Sequence, residues 1–375
     1  MEFRNLKKQY EVYQKEIDAE ISQVLKEANF ISGRQVSQLE EKLAEYVGVK
    51  HCITCANGTD ALQLALMAWE IGPLDAVFVP DFTFFSSGEV VPTVGATPMF
   101  VDVESDTFNI DPVKLEAAIL AVIKEGKLKP RVIVAVDLFG QPADYAAIRE
   151  IADRYDLLVL EDGAQGFGGR IGNKKACSFG DISTTSFFPA KPLGCYGDGG
   201  AIFTDHDDWA TLLRSYRIHG KGQDKYDNVR IGMNSRLDTL QAAILQVKLK
   251  AFIENELEAI NEIANVYTEG LKNLVKVPFV KTGFYSSWAQ YSILLDEIRQ
   301  RDSLQIFLKE HGIPSMIYYR KPMHKQSAFD PKESVKTDLS VTENLCDRVL
   351  SLPIHPYMDK AETDRVIATI EKYFA

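Results

Sequence analysis

ISTTSFFPAKPLGCYGDGGAIFTD, residues 182–205, is the stretch from which the rest of the chain can be read. Ile182–Phe187 and Ala201–Thr204 are short β-prone runs, so a strand leads into a loop and the loop turns into a second strand. Ser186 closes the first run, Lys191 stands in the loop, and Gly194, Gly197, Gly199 and Gly200 follow it. Most lysines sit on solvated faces among other charges, whereas this one has apolar and glycine company. Burial there lowers the proton affinity of the amine and frees it as a nucleophile toward a carbonyl. The glycines do not form a dinucleotide fingerprint, because their spacing is wrong and a strand, not a helix, comes next.

Working outward, the same kind of run recurs at Cys52–Cys55, Ala76–Pro80, Pro98–Val103, Val132–Val136 and Leu157–Leu160. Segments of helical period lie between them, around Asp60–Trp69, Pro112–Ile123 and Ala143–Tyr155, each opening near a Ser, Thr, Asp or Pro. Strands alternating with helices predict βαβ units and one large, mostly parallel α/β/α sheet domain. From Leu237 to Leu271 the helical period runs on without Gly or Pro until Gly270, which predicts a long helix leading out of it. The expected division is a large domain over residues 1–245 and a small α+β C-terminal domain over 246–375. The latter has strands at Trp288–Leu295 and Ser315–Tyr319 and helices at Ser303–His311 and Ala361–Phe374. An N-terminal helix, Leu6 to Lys26, is free to pack on either lobe.

A chain of 375 residues, 46% hydrophobic, buries a large core and is not disordered. The 42 basic and 53 acidic residues leave a formal charge of -11, which disfavours nucleic acid or anionic lipid as partner. The charged N-terminus lacks an apolar leader and no stretch has the length of a membrane span, so the expected location is the cytoplasm. Five scattered cysteines agree with a reducing compartment. His51, Cys52 and Cys55 look like metal ligands, but no second pair follows, and a buried strand is the better reading; no metal is expected.

In an open parallel sheet, ligands bind outside the carboxyl ends of strands. ITCANGTDALQLAL, residues 53–66, runs from a strand through Asn57, Gly58, Thr59 and Asp60 into a helix, whose free N–H groups suit a phosphate, though Asn-Gly is also an ordinary turn. LLVLEDGAQGFGG, residues 157–169, ends a strand in Glu161 and Asp162, which point to opposite faces. Such a buried acid needs a cationic partner or a hydrogen-bonded role, and a capping or salt-bridging acid is the plainer reading. VPDFTFFSSGEVV, residues 79–91, sets Phe82, Phe84 and Phe85 after a strand, either as core or as a stacking platform for a flat ring.

These segments, in this order, resemble the DegT/DnrJ/EryC1/StrS family of sugar aminotransferases, which has the aspartate aminotransferase fold (fold type I). The resemblance runs from FISG near Phe30 to the Tyr319–His324 region. It implies pyridoxal 5'-phosphate as cofactor, Lys191 as its Schiff-base lysine, and Asp162 as the partner of its pyridine nitrogen. It also implies Gly58, Thr59 and Asp60 as a phosphate cradle, Ser186 as a phosphate ligand, Gln165 on the ring-oxygen side, and Phe84 stacked on the ring. Gly163 departs from the family's usual Ala, which should loosen packing near the ring. RIHGKGQDKYDNVRIGMNSRLDTLQAAIL, residues 217–245, is similar to the loop whose Asn, here Asn234, reaches the cofactor phosphate of a neighbouring subunit, implying a homodimer with shared active sites. By the same resemblance Arg236 and His219 are substrate-side residues, and Tyr319 and His324 in IYYRKPMHKQ belong to the nucleotide-sugar side; a Tyr and a His in a loop also need no special role.

The implied reaction moves the amino group of L-glutamate to a nucleotide-linked keto-sugar, with Lys191 as base at the donor's α-carbon. The nearest subgroup acts on C3 of UDP-2-acetamido-3-keto-hexuronic acids in O-antigen synthesis, where Arg236 would pair with the sugar carboxylate or, more blandly, with Asp238. The alternative is a 3- or 4-aminotransferase of UDP- or dTDP-linked keto-deoxysugars. A family dehydratase would carry His in place of Lys191, a nicotinamide oxidoreductase would show GxGxxG after the first strand, and a regulator would need a DNA-binding domain.

Overall fold

The computed structural model describes residues 1–224, 226–329 and 337–375. In chain order, α1 (Leu6–Glu27) and α2 (Arg34–Val47) precede β1 (His51–Cys55), α3 (Gly58–Ala68), β2 (Asp75–Pro80), α4 (Ser86–Thr93) and β3 (Thr97–Val101). Next come α5 (Pro112–Glu125), β4 (Lys129–Val136), α6 (Tyr145–Tyr155) and β5 (Leu158–Asp162). Two short strands, β6 (Arg170–Ile171) and β7 (Lys174–Lys175), lead to β8 (Ile182–Ser186), β9 (Gly200–Thr204) and α7 (Asp207–Tyr216). The predicted long helix is α8 (Thr239–Ala251) running through a π-helical turn, Phe252–Glu256, into α9 (Leu257–Leu271). The chain ends with β10 (Phe284–Tyr285), β11 (Tyr291–Leu294), α10 (Ile298–Glu310), α11 (Ser340–Arg348), β12 (Val349–Leu352) and α12 (Lys360–Phe374).

All seven strand runs of the first half enter one sheet, ordered β1-β9-β8-β5-β4-β2-β3. The pairs from β8 to β3 are parallel, and β9 runs antiparallel to both its neighbours. Successive side chains of each strand face opposite ways, so the sheet carries a core on each side. Leu160, Ile182 and Val134 pack with α3, α4 and α7 on one face, and Val159, Ile133 and Phe78 with α5 and α6 on the other. Caps fix where the helices start: Asn57 accepts from Asp60 N (2.8 Å) at α3, and Asp111 from Val113 N (2.8 Å) ahead of Pro112 at α5.

The second half folds as predicted in class. β11 and β12 form an antiparallel pair against α9, α10 and α12, around Tyr267, Tyr291, Leu304 and Ile370. One expected strand is absent: Ser315–Tyr319 makes only an isolated bridge, Met316 to Ser351, and then turns away to wall the main cavity. Val349–Leu352 takes the pairing position instead. The N-terminal helix α1 packs on α8, and Gln9 donates to Glu256 (3.1 Å) in the π-helical turn.

Candidate active site

The parallel strands β2, β4, β5 and β8 end on the same edge of the sheet, and there a cavity of about 940 Å³ opens. Its walls contain Gly58, Thr59, Asp60, Phe84, Asp162, Gln165, Ser186, Lys191 and Tyr319, nine of the residues singled out in the sequence. Strand-following residues converge there because each βα connection turns its loop toward that edge.

The floor is the first turn of α3. A Cβ built on Gly58 would lie 2.7 Å from Ser186 Cβ, and one on Gly200 would lie 2.5 Å from the Asn57 carbonyl. The helix N-terminus is thus pressed against the end of β8 at a distance only glycine allows. Thr59 and Ser86 hydroxyls pair at 2.8 Å beside it. Free N–H groups, the positive helix end and three hydroxyls (Thr59, Ser86, Ser186) are together the kind of group that could hold a phosphate dianion.

β5 splits its two carboxylates. Asp162 follows Leu160 on the cavity face, is 5% exposed, and accepts from Ser87 Oγ (2.7 Å) and Ala164 N (3.2 Å). It has no ion-pair partner among the described residues. Glu161 faces the other way and is fully buried, accepting from Cys177 N, Phe179 N (2.7 Å), Gly180 N (3.2 Å) and Ser183 Oγ (2.7 Å). Burial pushes the Glu161 carboxyl up against those bonds, and it pushes Asp137, which lies beside Glu161, up strongly, with the neighbouring negative charge adding to it.

Lys191 hangs from the β8–β9 loop, held by its backbone N–H to Phe188 O (2.9 Å), and its Nζ makes no hydrogen bond or ion pair among the described residues. Burial lowers its proton affinity; Asp162 pulls the other way and the Arg4 guanidinium reinforces the fall. Gln165 spans the site, accepting from Phe139 N (2.8 Å) and donating to Tyr319 OH (3.1 Å). Burial raises the Tyr319 phenol, which stays protonated. Of the three Phe residues after β2, Phe82 is core, while Phe84 is 52% exposed and lines the cavity with its ring 6.3 Å from that of Tyr319.

Four expected residues stand elsewhere in the chain. His219 and Arg236 line a separate open concavity of about 980 Å³ with Lys221 and Arg230, and exposed Asn234 bridges to Ile218 beside it. Arg236 forms no ion pair with Asp238 or with any other described residue. His324 is turned out of the cavity lining, its ring nitrogens on Asp81 (2.6 Å) and Glu343 (3.2 Å). The sequence reading missed Ser86 and Ser87, although they sit in a quoted motif, and also Gln290, Lys321, Met323 and Gln326 on the far wall. Lys321, Met323 and Gln326 lie in the quoted IYYRKPMHKQ segment beside Tyr319, and only Gln290 stands outside every quoted motif.

A buried, unpaired carboxylate, an amine whose proton affinity is lowered, an anion cradle and an exposed ring suit a flat, phosphorylated, cationic cofactor that carries a carbonyl. Comparison with known proteins points the same way. The model of the DegT/DnrJ/EryC1/StrS aminotransferase family matches residues 11–371. A UDP-2-acetamido-2-deoxy-3-oxo-D-glucuronate aminotransferase of Pseudomonas aeruginosa is 43% identical, with 99% of each chain covered. A DegT DnrJ EryC1 StrS aminotransferase from Brucella abortus superposes with a TM-score of 0.97 at 50% identity over 100% of both chains. NtdA from Bacillus subtilis with bound cofactor PMP superposes at 0.86 and 29% identity, covering 96% of this chain and 81% of that one. The pocket and these likenesses agree, and the chain belongs to the DegT/DnrJ/EryC1/StrS aminotransferase family.

Proposed function

We propose that the protein is a pyridoxal 5'-phosphate aminotransferase that moves the amino group of L-glutamate to C3 of a UDP-2-acetamido-3-keto-hexuronic acid. The observation that carries the cofactor reading is the joining of Lys191, Asp162 and the Gly58–Ser186 cradle in one cavity. When bound, pyridoxal 5'-phosphate supplies a carbonyl for the amino group and an electron sink for the pair left at the donor's α-carbon. Asp162 holds the proton on the pyridine nitrogen, and Ser87 and Ala164 hold Asp162. The α3 N-terminus with Gly58, Thr59, Asp60 and Ser186 binds the phosphate, and Phe84 and Gln165 set the ring plane. Lys191 Nζ, whose proton affinity burial lowers, would act as the base that moves the proton from the donor's α-carbon.

The cavity exceeds the volume of such a cofactor, which leaves room for the sugar beside Tyr318 and Tyr319. The acceptor is read from the likeness to the P. aeruginosa enzyme. Arg236, with no acid partner among the described residues, then serves the hexuronate carboxylate, and His219 lies next to it. Because these two and Asn234 are remote from Lys191 in one chain, they act in the cavity of a second copy. The homodimer is supported by the bare apolar tip of their hairpin, where Ile231 is 90% and Val229 54% exposed. We place the domain division at 245/246, within α8, the enzyme in the cytoplasm, and its product in O-antigen or related surface polysaccharide. A 3- or 4-aminotransferase of a UDP- or dTDP-linked keto-deoxysugar would use the same cavity. The test is amino transfer from glutamate to a panel of UDP- and dTDP-linked keto-sugars, with the new C–N bond located by NMR; turnover of neutral 4-keto-sugars alone would replace the hexuronate reading with this second one.

A further inference from the structure

The wall of the cavity opposite the helix N-terminus is the segment Tyr318–Gln326, where Tyr319, Lys321, Met323 and Gln326 line the space. It has no strand pairing and only a single 3-10 turn, Met323–Lys325, so its position depends on a few anchors. Met323 N donates to the Asp81 carbonyl (3.0 Å), and Gly88 on α4 leaves room for the Met323 side chain, since a Cβ there would meet Met323 Cε at 2.5 Å. Tyr319 OH accepts from Gln165 (3.1 Å), Arg320 donates to Gln305 (3.0 Å), and Lys325 pairs with Glu343 (2.8 Å). The anchors that tie this wall to Asp81 through a side chain belong to His324. Its backbone N–H donates to Asp81 Oδ1 (2.8 Å), its Nδ1 lies 2.6 Å from Asp81 Oδ2, and its Nε2 lies 3.2 Å from Glu343 Oε1 on α11.

Asp81, just past the end of β2, is fully buried, so its carboxylate must be met by donors. Both ring nitrogens of His324 face a carboxylate oxygen, and only the imidazolium can donate at both. In the neutral ring one nitrogen presents a lone pair to an anion. We propose that His324 is a positioning residue that staples the acceptor-side wall of the cavity to β2 and α11 while it carries its second proton, and loosens that wall when it loses it.

The charged groups around the ring favour the imidazolium. Asp81 and Glu343 face it directly; Lys325 shares the same Glu343 oxygen (2.8 Å), and Asp102, Cys346 and Asp347 stand behind them. The bond to Asp81 is the largest influence and raises the His324 pKa, burial opposes it, and Glu343 adds to it. A raised histidine gives stabilisation that is complete below the ordinary pKa of 6.5 and is lost as pH climbs through the folded-state value. Glu343 is lost first, because a neutral ring still donates through Nδ1 to buried Asp81. Neither Lys191 nor Asp162 hydrogen-bonds to this wall among the described residues, so the loosening falls chiefly on acceptor binding.

The acceptor assignment of this wall rests on the function proposed above; the staple itself does not, and the experiment separates them. NMR titration of the histidine ring and hydrogen exchange of residues 318–326 are measured against pH in wild type, His324→Asn and Glu343→Gln. Asn reaches Asp81 but not Glu343. His324 should titrate above 6.5, Glu343→Gln should lower it, and the protection of the wall amides, with the intrinsic pH dependence of exchange divided out, should fall through that pH in wild type but stay flat in His324→Asn. The KM for the keto-sugar should rise roughly two- to fivefold over the same range in wild type but not in His324→Asn, the scale of a half-exposed ion pair, while the pH profile of the glutamate half-reaction is the same in both proteins. A His324 titration at or below 6.5, or wall exchange that ignores it, overturns the staple. If exchange follows the titration and no keto-sugar is aminated, the staple stands and the acceptor reading falls.

Discussion

Glu161 and Asp162 are neighbours on β5 that answer to different demands, and exchanging each for its amide should separate them. Glu161 Oε2 accepts from Phe179 N, Gly180 N and Ser183 Oγ, and Oε1 accepts from Cys177 N. Gln has one oxygen; left where three donors meet, it turns its NH2 toward Cys177 N–H, donor against donor. A charge-assisted bond worth about 1.5–3 kcal/mol disappears, a buried N–H left bare costs about 1–3 kcal/mol, and the new amide donor recovers about 1 kcal/mol on Asp137. The net loss is about 3 kcal/mol, which at a urea slope of about 3 kcal/mol/M lowers the apoprotein midpoint by roughly 1 M. The glutamate half-reaction of the loaded protein should change little, because Glu161 points away from the cavity. Asp162→Asn should do the opposite: a midpoint within about 1 kcal/mol of wild type, since only the charge on its bonds to Ser87 and Ala164 is lost, and a half-reaction slower by roughly 10²-fold or more. Urea curves followed by circular dichroism and single-turnover kinetics read the two quantities. Two variants with the same profile, or a Glu161→Gln protein that is stable and slow, would refute the facing assigned to β5.

Asp137→Asn should flatten the pH dependence of stability: the folded state holds the Asp137 proton more tightly than the unfolded chain does, so this group's contribution is complete below about 3.8 and lost as pH rises through the higher folded-state value. The Asn keeps the Tyr145 and Ala143 bonds to its oxygen and offers NH2 to Glu161, so its urea midpoint at pH 8 should exceed that of wild type; an unchanged slope against pH speaks against the reasoning. Gly58→Ala should weaken retention of pyridoxal 5'-phosphate at least tenfold in equilibrium dialysis, since the Cβ is driven into Ser186, while the fold survives; full retention would mean the phosphate lies elsewhere. Borohydride should fix the cofactor to Lys191 alone, read by peptide mass, and label on any other lysine removes the assignment. Arg236→Ala should slow transfer to a keto-uronate far more than to the matching neutral sugar, because the guanidinium has no acid partner among the described residues; equal losses would make it a structural residue.

The sequence displays what local chemistry decides. Each large-sheet strand is a short run of β-prone residues closed by turn or capping residues such as Asn57, Asp111 and Gly163, so periodicity and punctuation name it without knowledge of its neighbours. Ser315–Tyr319 has the same β-prone look and no such fate. Propensity of this kind measures fit to a half-buried surface, and the wall of a cavity satisfies it as well as a sheet does. Val349–Leu352, which α11 delivers directly, pairs with β11, and Ser315–Tyr319 touches only the other edge of β12, through the Met316–Ser351 bridge. The π-helical turn at Phe252–Glu256 is silent in a pattern of apolar positions, yet it aims Glu256 at Gln9 and so fastens α1.

The same distinction runs through the site. Lys191, Asp162, Gly58 and Ser186 were legible because each follows a strand, and the edge of a parallel sheet collects whatever follows its strands. What was not legible depends on pairs far apart in sequence: Ser87 with Asp162, Gln165 with Tyr319, His324 with Asp81. Such pairs set how firmly a reactive group is held, and they carry no signature because a Ser, a Gln or a His is as much at home in a plain loop. The strand-end part of the cavity is therefore built from residues that declare themselves locally. The wall that we assign to the acceptor is held by pairings, Gln165 with Tyr319 and His324 with Asp81, that no local pattern announces.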